Sequence, residues 1–252
     1  MNPFKQALAE RRPQIGLWQS LANPYTAEIC AGAGFDWLLF DGEHAPNTVQ
    51  TLLAQLQAVA AYPVEPVARP PIGEAAVIKQ YLDIGCRSLL IPMVESADQA
   101  ARLVAATRFP PVGMRGVASA TSRASGFGAN AAYLARAHED ICLLVQIESR
   151  TGLDAIEAIA AVDGVDGLFI GPQDLAGSLG HLGDPRHPTV QSAIEDALKR
   201  IAAAGKPAGL FALDAEDARA RLGRGVAFVS TGTDIGLLAR NARALAAECR
   251  PS

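Results

Sequence analysis

Apolar residues in this chain gather in short runs, and each run gives way to a stretch where they recur at helical spacing. The runs are Gln14 to Trp18, Asp36 to Phe40, Pro66 to Ala68, Ser88 to Ile91, Leu143 to Glu148, Leu168 to Ile170, Pro207 to Phe211 and Val226 to Val229. Short, apolar and rich in β-branched residues, they read as buried parallel strands. The pattern between them predicts helices over residues 1–13, from Asn23-Pro24 through Ala33, and over 48–60, 74–84, 97–107, 151–162, 188–204, 215–222 and 235–248. Asn23 reads as a cap with Pro24 at the first helical position. Alternating strand–helix pairs point to a (β/α)8 TIM barrel, with no linker to divide residues 1–252 into domains. A doubly wound open sheet is the alternative, but no Gly-x-Gly-x-x-Gly follows the first strand. The longest irregular stretch is Phe109 to Ala129, and loops of that length are usually functional.

In such a barrel the residues just past each strand meet at one face. Two runs end in acids: Leu143-Leu144-Val145-Gln146-Ile147-Glu148 and Leu168-Phe169-Ile170-Gly171-Pro172-Gln173-Asp174. The intervening helical period makes a strand–helix–strand unit, so both acids emerge at the same edge and suit a hard divalent cation. The same positions hold Trp18, Asp41, His44, Arg69, Gln146 and Phe211. A histidine beside an arginine and a metal pair is a candidate general base. Arg69, held extended by Pro70, is a candidate stabiliser of a developing oxyanion. The turn Gly171 to Asp174 offers backbone N–H groups to a small carboxylate at a helix start. Trp18 and Phe211 read equally as pocket walls or core caps, and His138, His181 and His187 as background. No lysine among Lys5, Lys79, Lys199 and Lys206 stands at a strand's carboxyl end. That favours metal-assisted enolate chemistry over a Schiff base.

Composition narrows the reading. Of 252 residues half are hydrophobic, enough for one large core, and a net charge of −4 leaves no basic stripe for nucleic acid. Without a long apolar segment or a signal-peptide pattern, the chain reads as cytosolic and not membrane-bound. Cys30, Cys86, Cys142 and Cys249 lack metal-ligand spacing and read as reduced, mostly buried thiols.

Four stretches together resemble the HpcH/HpaI class II pyruvate aldolases: Gln14 to Trp18, Phe35 to His44, Val145 to Glu148 and Gly164 to Pro172. The likeness covers nearly the whole chain, weakening from Ala124 to Gly128 and around Phe211, which would border an aldehyde. It implies a (β/α)8 fold using Mg²⁺, Mn²⁺ or Co²⁺ and cleaving 4-hydroxy-2-oxo acids to pyruvate and an aldehyde. It also implies hexamers whose eighth helix swaps between subunits. By motif, Glu148 and Asp174 would be metal ligands, His44 the acid/base and Arg69 the enolate stabiliser, with Asp41 in the catalytic set. Gln146 and the backbone at Gln173 would hold pyruvate, and Asp83 would raise the basicity of His44. Asp83 ends a helix leading away from its own site, so either the histidine it would serve belongs to a neighbouring barrel or Asp83 only caps or solvates its helix end. The rival readings are a related lyase acting on a CoA thioester or phosphoenolpyruvate-like substrate, and a non-catalytic 2-oxo acid binding protein.

Overall fold

Parallel strands can be joined only through a crossover, and here helices supply it. In the computed structural model, which describes residues 2–250, the chain opens with α1 (Pro3–Ala9), β1 (Gln14–Gln19), α2 (Pro24–Ala31) and β2 (Trp37–Asp41). It continues through α3 (Val49–Ala58), β3 (Glu65–Arg69), α4 (Ala75–Asp83), β4 (Ser88–Ile91) and α5 (Ala97–Thr107). After an irregular stretch come α6 (Tyr133–Asp140), β5 (Cys142–Ile147), α7 (Arg150–Asp154), α8 (Ile156–Ala160), β6 (Gly167–Ile170) and α9 (Pro172–Ser178). The last part is α10 (Pro188–Ala203), β7 (Ala208–Ala212), α11 (Ala215–Gly223), β8 (Phe228–Thr233) and α12 (Asp234–Glu248). The strands pair in sequence order, all parallel, and β8 closes back onto β1. The expected TIM barrel is what forms.

Both faces of the sheet are covered, which is why its strands read as unbroken apolar runs. In β2, Trp37 and Leu39 point into the barrel with Phe169 and Phe228, while Leu38 and Phe40 face the helices. Such large rings fit inside because their neighbours have no side chain. A Cβ on Gly16 would lie 2.2 Å from the Trp37 ring, and one on Gly209 would lie 2.4 Å from the Phe228 ring.

Helix α1 plugs the end of the barrel opposite the strand carboxyl ends. The Asn2 side chain caps it, accepting from the Phe4 and Lys5 N–H groups, and also donates to Ser88 Oγ. Phe4, 1% exposed, packs on Trp37 and Phe228 at centroid distances of 5.7 and 6.0 Å. The helix stops at Ala9 rather than near Pro13, because Arg11 turns into the left-handed region at φ 54°.

Other expectations need correction. The single helix over 151–162 is two, α7 and α8, broken at Ala155 (φ −100°, ψ 4°), which leaves the helical region. β8 runs to Thr233, whose hydroxyl caps α12 by accepting from the Gly236 N–H at 2.9 Å. Of the four free cysteines only Cys86 and Cys142 are buried; Cys30 is half-buried and Cys249 exposed. Among the described residues no helix is long and apolar enough to cross a membrane.

The plug generates a stability prediction. Phe4→Ala should lower the unfolding free energy by about 3–5 kcal/mol, the usual cost of deleting a buried ring, as measured by urea denaturation. A loss under about 1 kcal/mol would mean that α1 is not part of the core.

Candidate active site

The register of β2 and β3 sets Asp41 beside Arg69 at the carboxyl ends of their strands. Their side chains form a two-toothed fork. Asp41 Oδ1 accepts from Arg69 Nε at 2.9 Å and Oδ2 from Nη2 at 2.8 Å, with both residues buried. On the other side, Arg69 Nη1 lies 2.7 Å from Glu43 Oε2, close enough for an ion pair although the N–H is not aligned on the oxygen. The guanidinium carbon sits over the Trp18 ring, 5.0 Å from its centroid. Arg69 is thus gripped by two carboxylates and an aromatic face, a use suited to a planar cation.

The turn after β2 is fixed by the same carboxylate, since Asp41 Oδ1 also accepts from the Glu43 N–H at 2.9 Å. Burial pushes the Asp41 carboxyl up, but the hydrogen bonds and charge of Arg69 outweigh it and leave Asp41 below the usual carboxylate range. Glu43 goes the other way. Burial raises it, and the nearby Asp41 and Asp174 add to this against the pull of Arg69 and His44. His44 Nε2 stands 3.8 Å from Glu43 Oε2, with its side chain 65% exposed at the mouth.

Glu148 follows β5 directly and is 3% exposed. Its Oε1 accepts from the Met93 N–H at 2.8 Å, and its Oε2 from Gln146 Nε2. Burial raises its pKa to about 7; the Met93 N–H works against this, and the Asp174 and Glu43 carboxylates reinforce it. The turn into α9 passes so close that a Cβ on Gly171 would fall 2.5 Å from Glu148 Oε2 and 2.6 Å from Gln146 Nε2. Only glycine admits that approach. Asp174 comes from the first turn of α9.

A cavity of about 230 Å³ opens at this face, lined by Trp18, His44, Arg69, Gln146, Gln173, Asp174 and Phe211 among others. Asp41 is packed behind that wall on Arg69, and Glu148 behind Gly171. Phe211 is half-buried and packs edge-on against Trp18 at 5.3 Å, so it is wall and packing at once. Asp83 does not line the cavity: its Oδ1 accepts from Arg115 Nη2 at 2.8 Å, at the far end of α4. None of the four lysines lines it either.

The donor set fits a small hard cation. The Asp174 carboxylate adds to the burial that raises Glu148, and the buried Gln146 Oε1 has no hydrogen-bond partner. Among the described residues no group of three or more His, Cys, Asp or Glu side chains forms a full metal cage. Two carboxylates, with water and substrate oxygens completing the shell, are the usual provision for Mg²⁺.

Two contributors escaped the sequence reading. Glu43 has no assigned role within the stretch Phe35 to His44, although its place two residues after Asp41 puts it beside the same arginine. The Met93 N–H left no signal, because it is delivered by a non-glycine residue at φ 53°.

Comparison with known proteins follows the same lines. The family model described as HpcH/HpaI aldolase/citrate lyase matches residues 14–241. A "Hydroxypyruvate/pyruvate aldolase" of Deinococcus radiodurans is 63% identical, over 98% of this chain and 89% of its own length. A "4-hydroxy-2-oxo-heptane-1,7-dioate aldolase" of Salmonella dublin is 55% identical, over 98% and 94%. The crystal structure of an HpcH/HpaI aldolase/citrate lyase family protein from Burkholderia cenocepacia J2315 superposes with a TM-score of 0.95 at 44% identity, covering both chains completely. With barrel, mouth and relatives in agreement, the chain belongs to the HpcH/HpaI aldolase/citrate lyase family.

Proposed function

We propose that this enzyme is a divalent-metal-dependent pyruvate aldolase that reversibly cleaves 4-hydroxy-2-oxo acids to pyruvate and an aldehyde. The carrying observation is one buried guanidinium, Arg69, that lines the cavity with Asp174 while Asp41, Glu43 and Glu148 stand behind its wall. Such a site calls for a second positive charge, and Glu148 and Asp174 would hold Mg²⁺, Mn²⁺ or Co²⁺. When bound, the cation would supply Lewis acidity toward the 2-oxo acid. The protein's own groups divide the remaining work. Arg69 offers N–H donors where enolate charge develops, and its clamps keep the fork from reorganising as the bond breaks. His44, at the open end of the cavity, takes the proton from the 4-hydroxyl. Gln146 and the backbone at Gln173 bind pyruvate, while Trp18 and Phe211 exclude water around it. Names of relatives at 55–63% identity support an aldolase over the CoA-lyase and binding-protein readings. Hydroxypyruvate, which one relative's name sets beside pyruvate, is itself a 2-oxo acid and would take the place of pyruvate, while cleavage of the heptane-1,7-dioate named for the other would release a semialdehyde.

The direct test is pyruvate release from a panel of 4-hydroxy-2-oxo acids. Chelation should abolish it and Mg²⁺ or Mn²⁺ restore it. Glu148, with a pKa raised to about 7, is largely neutral below that pH and cannot then serve a cation well. Metal affinity should therefore rise as pH rises through 7, and Glu148→Gln should remove that rise and most of the binding. Full activity after exhaustive chelation would rule the reading out.

The proposal extends to assembly into a homo-hexamer. Of α12 only Asp234 is buried, so Ile235, Leu238 and Leu245 lie exposed along it. Tyr25 and Ile29 of α2 are 73% and 63% exposed. A second copy exchanging α12 would cover both sets. Asp83, a quarter exposed beside Arg115, would serve His44 of a neighbouring subunit. His44→Ala and Asp83→Ala should each be impaired, and co-assembled mixtures should regain part of the pyruvate release. No recovery despite demonstrated subunit exchange would exclude this dyad.

A further inference from the structure

We infer that Gln99 is a positioning residue for Glu148, acting through the turn Met93–Glu95; this rests on Glu148 being a cation ligand. The turn leaves β4 with Met93 at φ 53°, a region that residues other than glycine seldom occupy. Three successive residues then grip the end of β5. The Met93 N–H donates to Glu148 Oε1 at 2.8 Å, the Val94 N–H to the Gln146 carbonyl at 3.1 Å, and Glu95 Oε1 accepts from Ser149 Oγ at 2.5 Å.

One amide holds both ends of this turn. Gln99 Oε1 accepts from the Glu95 N–H at 2.9 Å, and Gln99 Nε2 donates to the Met93 carbonyl at 3.0 Å. Capping of α5 is a separate matter, served by Ser96, whose hydroxyl accepts from the Gln99 N–H at 3.2 Å. The Gln99 side chain spends its two hydrogen bonds outside the helix. Strained backbone persists where its surroundings over-determine it, and here the surroundings are this amide. Without it Met93 relaxes out of the left-handed region and its N–H turns away. Glu148 then keeps Gln146 but loses the donor that fixes its other oxygen. Loss of a group hydrogen-bonded directly to a metal ligand, as the Met93 N–H is to Glu148, commonly changes affinity by about 10–100-fold.

The test is Mn²⁺ titration of the metal-free full-length protein, with free Mn²⁺ read by electron paramagnetic resonance and folding by circular dichroism. Gln99→Ala should weaken Mn²⁺ binding about 10-fold or more. Gln99→Glu should do the same, since it keeps an acceptor for Glu95 but replaces the donor to the Met93 carbonyl with an acceptor. Ser96→Ala removes the cap of the same helix, so it should lower thermal stability and leave Mn²⁺ affinity as in the native protein. Native affinity in folded Gln99→Ala or Gln99→Glu protein would overturn the inference. So would Ser96→Ala weakening Mn²⁺ binding as much as they do, since Gln99 would then be a helix cap only. Unimpaired binding in Glu148→Gln would instead remove the cation reading, and this inference with it.

Discussion

One buried cation among four acids is the constraint from which the site follows. Charges taken out of water are tolerated only when paired, and Arg69 forks onto Asp41, only approaches Glu43 and leaves the buried Glu148 without a cation partner. The unequal acidities record this. Asp41, in the fork, stays below the usual range; Glu43 and Glu148, farther from full compensation, rise above it. A divalent cation at Glu148 and Asp174 would relieve the imbalance that the chain alone leaves. The proposed chemistry exploits the same imbalance, because a substrate carboxylate and an incipient enolate also seek positive charge.

The barrel makes that arrangement affordable by distributing it over many strands. Asp41 and Glu43 come from the end of β2, Arg69 from β3, Glu148 from β5 and Asp174 from the start of α9. None has to fold against its neighbours locally; the closed sheet brings them together.

Much of this was legible in the sequence for a physical reason. Strands covered on both faces are apolar throughout, so their ends are marked by the first polar residues, and Asp41, Arg69 and Glu148 each stand at such a boundary. Boundaries that depend on a single backbone angle were not legible. Ala155 breaks a helix whose apolar spacing continues unchanged, and Met93 enters the left-handed region without a glycine to announce it. The solvent-facing α12 has the apolar pattern of a packed helix. Pattern tells that a face is to be buried, not which chain buries it. Asp83 shows the same limit: its spacing put it at a helix end, while its pairing with Arg115 depends on the irregular stretch that periodicity does not describe.

The central claim is that clamped Arg69 stabilises an enolate of pyruvate, and it can be tested without an aldehyde. In D₂O, with Mg²⁺ or Mn²⁺ present, the enzyme should exchange the methyl protons of pyruvate for deuterium, followed by proton NMR. Arg69→Ala should slow that exchange by roughly 10²–10³-fold, as loss of an oxyanion donor does elsewhere. Arg69→Lys should recover it only in part, because a point charge cannot fill the Asp41 fork. Exchange at the native rate in Arg69→Ala, or no exchange by the native enzyme, would contradict the account.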